Sequence, residues 1–216
     1  MKNEYIASSR IPIELKKPET LPQELYWDIA YLTPTRLSSI GYQLKLAVES
    51  KASRFMEVGI GNGLLTSLLR AMNLNVITLD INRLLIPQVV GRIPELPFVE
   101  RSFETVLCYE VLEHLPFEML DAGLKEMVRV SNNYIIISLP DRTDLYESQS
   151  FRRIINKILK RNRSVPLSAE HYWEIGYQEI TAEKVIEIAL THGLSLSNHF
   201  RNPHSMYHHF FVFHLH

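Results

Sequence analysis

The chain has one cysteine, Cys108, among 216 residues. A single thiol excludes an intramolecular disulfide framework and a CxxC zinc knuckle. Long hydrophobic runs are missing too: no stretch approaches the roughly 18 to 20 apolar residues that span a bilayer. The opening residues MKNEYIASSR lack the apolar centre of a secretory signal. Excess charge of one sign is absent, the formal net charge being −1, so no global field draws the chain onto bulk nucleic acid or an anionic membrane. No internal repeat or low-complexity tract is visible. What remains is 46% hydrophobic and 22% charged, the composition of an ordinary globular domain. These features predict a cytoplasmic protein with one domain-sized core.

Residues 1–34 have no clear period and read as an N-terminal arm or cap. Residues 35–216 read as the main domain, with an insert at about 141–170. Leu37, Ile40, Leu44 and Val48 follow helical spacing over 35–50. Strands are then predicted at 54–58, 75–79, 104–109 and 133–139, with a brief one in 87–93. Helices are predicted at 62–72, 117–130 and 181–192. The run between Asp80 and Leu96 is short, so a helix there is reduced or lost. Strand–helix alternation predicts an α/β fold, a Rossmann-like doubly wound sheet that is mostly parallel. Continuously apolar strands fit burial on both faces. The last two strands, 194–200 and 208–215, read as a hairpin, which makes at least one strand antiparallel.

The first strand runs into Glu57-Val58-Gly59-Ile60-Gly61-Asn62-Gly63, and Asp80 ends the second. Glycines let a backbone pass close to a ligand. A carboxylate at Asp80 can accept hydrogen bonds from two ribose hydroxyls. The loop reads GxGxG and not the GxGxxG of dinucleotide folds. Glu57 would repel a pyrophosphate at the helix N-terminus. It suits a ligand carrying an ammonium and a sulfonium, and S-adenosylmethionine carries both.

The segment FMEVGIGNGLLTSLLRAMNLNVITLDIN resembles the first two motifs of class I S-adenosylmethionine-dependent methyltransferases. Leu96-Pro97-Phe98 with SFETVLCYEVLEHLP resembles a later motif of their small-molecule branch. The resemblance covers roughly residues 35–140. It implies a seven-stranded sheet whose last strand is antiparallel. It also implies that Glu57, Gly59, Ile60, Gly61 and Gly63 line the methionine and ribose side. Asp80 would hold the ribose and Ile81 would pack on adenine. Ile93 would meet adenine through its backbone, and Tyr109 and Glu110 would lie near the methionine end. Arg36 resembles an arginine that binds the cofactor carboxylate in ubiquinone-pathway O-methyltransferases. Arg92 stands where many relatives have an aspartate. A nicotinamide-dependent oxidoreductase is the alternative on such a sheet, but Glu57, the loop spacing and the lack of a YxxxK pair oppose it. A non-catalytic cofactor-binding relative is another.

Glu110, Glu113 and His114 follow the fourth strand, and helical spacing would place them on one face. With His171 they could ligate Mg, Mn or Zn. This ExxEH plus a distant histidine resembles the metal site of small-RNA 2′-O-methyltransferases. Without metal, Glu110, His114 and His171 are the candidate acid–base groups for O-methylation of a small molecule. Cys108 lies inside a strand and reads as core. Six of the nine histidines fall at His199, His204, His208, His209, His214 and His216, and read as partly exposed hairpin residues. Within the insert, Arg152, Arg153, Lys157, Lys160, Arg161 and Arg163 surround an apolar stripe. The stripe predicts a lid helix, and the charges point to an anionic or lipid-like acceptor or peripheral membrane contact through 151–163.

Overall fold

The computed structural model describes residues 24–29, 31–143, 170–177 and 179–216. In chain order they form α1 (Glu24–Trp27), α2 (Pro34–Glu49), β1 (Arg54–Val58), α3 (Leu64–Ala71), β2 (Asn75–Asp80), β3 (Val89–Val90) and β4 (Phe103–Tyr109). Then come α4 (Leu120–Val130), β5 (Ser131–Pro140), α5 (Ala182–Thr191), β6 (Leu194–Asn202) and β7 (Ser205–Leu215).

Local chemistry sets most of these boundaries. Thr33 caps α2: its Oγ1 accepts from Arg36 N at 3.3 Å, and Pro34 follows, where a missing N–H costs little. Thr181 caps α5 in the same way, accepting from Lys184 N at 3.2 Å. Helix α3 begins two residues later than its apolar pattern suggests. Gly61 and Gly63 sit at φ +53° and +70°, outside the helical region. Residues 117–119 form a separate tight turn before α4. Between β2 and β3 the helix is reduced to one turn, Arg83–Leu85.

The strands make one sheet in the order β3-β2-β1-β4-β5-β7-β6. Strand β7 runs antiparallel to both β5 and β6, and the other pairings are parallel. Chain order reverses between β1 and β4, so a ligand crevice opens at the carboxyl ends of those two strands.

Alternate residues feed two cores. Met56, Val106, Cys108, Ile135 and Ile137 face α4 and α5, while Phe55, Leu107 and Ile136 face α2 and α3. Helix α4 contributes Leu120, Leu124, Met127 and Val130, all buried. Burial of each such side chain contributes about 1.5–3 kcal/mol, against propensity differences below about 0.7 kcal/mol per residue. Packing therefore decides where this helix lies. Cys108 is fully buried and its thiol pKa is pushed up by that burial, as expected of a core cysteine.

The hairpin corrects one expectation. His208 and His209 are buried, not partly exposed. His208 Nδ1 pairs with Ser205 Oγ at 2.9 Å. His209 Nδ1 donates to Asp141 Oδ2 at 2.8 Å, and its other nitrogen lies 3.1 Å from His199 Nδ1. Each histidine found a polar partner, which is what allows burial.

The basic stretch 151–163 lies outside the described residues. The chain on either side of it is stitched together: Ile175 N donates to Pro140 O and Arg142 N to Ile175 O, each at 2.9 Å. Among the described residues, no helix is long and apolar enough to cross a membrane.

Candidate active site

The crevice starts at the glycine loop. Gly59 has φ +80°, and a side chain there would overlap Val111. Glycine is needed on both counts. Asp80 fixes the loop from the side: its Oδ2 accepts from Ile60 N at 2.9 Å and its Oδ1 from Asn82 N at 2.8 Å. Each carboxylate oxygen has two lone pairs, and the N–H groups of Gly61 and Ile81 also turn toward them. Burial raises the Asp80 pKa, and the backbone N–H groups around it pull the other way. Ile81, next in chain, is half-buried.

Glu57 is buried and turned toward α3, where its Oε2 accepts from Thr66 Oγ1. Burial pushes its pKa up to about 7, opposed by the Thr66 bond and by Arg70. Tyr109 also packs inward: its ring meets Phe210 and its hydroxyl donates to Gln43 O at 3.4 Å. The Ile93 side chain belongs to the core beside Gly123. Arg92 is exposed and pairs with Glu95.

An aromatic cap that sequence reasoning missed covers this end of the sheet. Tyr26 lies against Gly61, and its carbonyl accepts from Asn62 Nδ2 at 3.5 Å. Tyr31 meets Tyr26 edge-on at 5.3 Å, and the Arg36 guanidinium stacks 3.8 Å over the Tyr31 ring. Burial raises the pKa of Glu110 and lowers that of His208; the Arg36 charge opposes the first shift and adds to the second. Through Tyr31 and Tyr26, Arg36 is linked to the glycine loop. Both tyrosines lie in the arm, where no period marks them.

Beyond the cofactor crevice, the arrangement expected for Glu110, Glu113 and His114 does not form. Glu110 takes φ +54°, and only Leu112–His114 make a turn. Glu110 Oε1 accepts from Ser138 Oγ at 2.7 Å. Burial and then the opposing Ser138 bond set its pKa, up to about 7. It stands beside the cluster and not in it.

Glu113, His114 and His171 do converge, with ligand atoms all within 4.8 Å of one another. Glu113 is fully buried, and neither carboxylate oxygen has a hydrogen-bond partner among the described residues. Burial, then the nearby Glu110, push its pKa well up. His114 Nδ1 lies 3.1 Å from Glu170 O. A carbonyl only accepts, so that nitrogen carries the proton and Nε2 is left with its lone pair. Burial and then the neighbouring His171 hold His114 neutral, with a pKa of about 4. His171 Nδ1 lies 2.8 Å from Glu174 Oε1, and its Nε2 is 4.0 Å from Glu113 Oε1. Glu174 had a signal in the sequence, its spacing of three from His171.

Residues 56–134 match a family of known proteins described as a methyltransferase domain. The chain carries a class I S-adenosylmethionine-dependent methyltransferase domain. No curated protein sequence matches the methyltransferase. Solved structures share its fold. A magnesium protoporphyrin IX methyltransferase from Synechocystis PCC 6803, with bound SAH, has a TM-score of 0.59 at 14% identity, covering 84% of each chain. A SAM-dependent methyltransferase from Aquifex aeolicus also scores 0.59 at 14%, over 91% of this chain and 100% of its own. PH0226 protein from Pyrococcus horikoshii OT3 scores 0.62 at 17%, over 89% and 99%.

Proposed function

We propose that this methyltransferase methylates a hydroxyl of a small-molecule acceptor, held beside Glu113, His114 and His171. One observation carries the reading. A fully buried carboxylate without a hydrogen-bond partner among the described residues faces two imidazoles whose outer nitrogens are already committed. A bare buried carboxylate is costly, and a cation or a bound hydroxyl would satisfy it. Two imidazoles and a carboxylate are a donor set for Mg, Mn or Zn. The residues fit a divalent ion, with Glu113, His114 Nε2 and His171 Nε2 as its holders. When bound, such an ion supplies Lewis-acid polarisation of the acceptor hydroxyl.

The transfer itself asks little of the protein. The methyl carbon leaves the sulfonium sulfur, which keeps the electron pair, and bonds to the acceptor oxygen as the hydroxyl proton departs. Alignment supplies much of the rate. Glycine loop and Asp80 fix the cofactor, the Tyr26–Tyr31 cap limits water, and where no ion occupies His171 Nε2 that imidazole is placed to take the proton.

The test is methyl transfer from methyl-labelled S-adenosylmethionine to a small-molecule extract, after dialysis against EDTA and again with Mn²⁺ restored. A labelled ether, lost on chelation and regained with Mn²⁺, is expected. Label on nitrogen or carbon would sink the hydroxyl assignment. Activity indifferent to EDTA would sink the metal.

A further inference from the structure

We propose that Glu174 is a positioning residue that fixes the His171 ring and tautomer so that Nε2 presents its lone pair toward Glu113; the proposal rests on the reading of Glu113, His114 and His171 as the acceptor-side site. The geometry is a chain of polar groups built on the buried Glu174 carboxylate. Glu174 is 1% exposed. Its Oε1 lies 2.8 Å from His171 Nδ1, and its Oε2 is 2.9 Å from Arg142 Nε. The second contact is an ion pair without hydrogen-bond alignment. The Arg142 guanidinium in turn lies 4.8 Å over the Tyr207 ring.

Each link constrains the next. The backbone ties Arg142 N to Ile175 O at 2.9 Å, the residue after Glu174. Arg142 and Glu174 are therefore held side by side by main chain as well as by charge. Glu174 cannot swing away without leaving the Arg142 guanidinium unpaired in a site that is 22% exposed for that side chain. A carboxylate at Nδ1 requires an N–H there, and the hydrogen bond at one ring nitrogen sets the proton on the other. His114 reaches the same state through a carbonyl. Two imidazoles, oriented by different outer acceptors, thus turn the same atom toward one carboxylate. Ring orientation by an outer carboxylate or carbonyl is how ligating histidines are held. For structure alone, an apolar residue of similar volume would serve as well as a buried ion pair.

The 216-residue chain with S-adenosylhomocysteine bound is examined by nitrogen NMR of its imidazoles, as wild type and as Glu174→Leu, which removes the acceptor at Nδ1. Mn²⁺ is then titrated into both by calorimetry. In wild type, His171 is expected to carry its proton on Nδ1. In the variant the proton shifts toward Nε2, and Mn²⁺ affinity falls by about 10- to 100-fold with S-adenosylhomocysteine affinity unchanged. An Nε2–H tautomer in wild type overturns the proposal, as does equal Mn²⁺ affinity in the two proteins. A wild type that binds no Mn²⁺ overturns the metal reading instead, and the tautomer still decides the role of Glu174. The wild-type spectrum needs no variant, so it decides even if Glu174→Leu fails to fold.

Discussion

Val111 occupies the space that a side chain at Gly59 would need. The glycine loop after β1 and the EVLEH segment after β4 are therefore one packed unit, and the candidate cofactor crevice and the proposed acceptor side share a wall.

Gly59→Ala should meet two penalties. Its φ of +80° costs an L-residue about 1–2 kcal/mol, and overlap with Val111 adds about 1–3 kcal/mol. Val111→Ala removes the second penalty only. Urea unfolding of the two single variants and the double should show coupling of at least about 0.5 kcal/mol, with Gly59→Ala less harmful in the Val111→Ala background. Strict additivity would mean the two residues do not contact.

That shared wall shows what the sequence could and could not carry. The GxGxG loop, Asp80 and the strand pattern are local, so they were legible, and β1 has the expected bounds. The ExxEH spacing was legible too, but its helical reading put Glu110 on one face with Glu113 and His114. The strand-to-turn break at Glu110 depends on Ser138 from β5, which no local pattern encodes. Tyr26, Tyr31 and Arg142 act through contacts made only once the arm and the sheet ends come together. Burial of His208 and His209 likewise depends on Ser205 and Asp141 as partners.

Asp80→Asn should weaken S-adenosylhomocysteine binding. Asparagine has a single acceptor oxygen, and its amide would face the N–H of Ile60 or Asn82. Losing a hydrogen bond to a charged group costs about 1.5–3 kcal/mol, which is roughly 10- to 150-fold in affinity. Calorimetry checks this, and an unchanged dissociation constant would remove Asp80 from the cofactor site.

Glu57 predicts a pH trend of unusual sign. Burial moves its pKa from 4.5 to about 7. Between those values the fold keeps a proton that the unfolded chain has released. Stability from this group therefore falls as pH rises through 4.5 to 7, by about 3 kcal/mol in total. His208 opposes it: burial first, then Arg36, lower its pKa from 6.5 to about 4, so its contribution is lost as pH falls through that range. Comparing Glu57→Gln with wild type cancels His208. The variant's relative stability should climb from pH 4.5 to 7 and then level off. A difference independent of pH would show that Glu57 is not buried in this way.

Glu113→Gln should separate stability from function. The carboxylate is 0% exposed and lacks a hydrogen-bond partner among the described residues. Its ionised form is therefore a net cost to the metal-free fold. Glutamine keeps the volume, and its unpaired amide costs less than an unpaired charge. At pH 8, without metal, the variant should melt higher than wild type, by about 2–4 °C for each kcal/mol recovered. Mn²⁺ should then stabilise wild type, as any ligand specific to the native state does, and leave the variant's midpoint where it was. This crossing of the two melting curves is the expected mark of a residue kept for its site at the expense of the fold. A variant that melts lower than wild type without metal would show that Glu113 is instead satisfied within the folded chain.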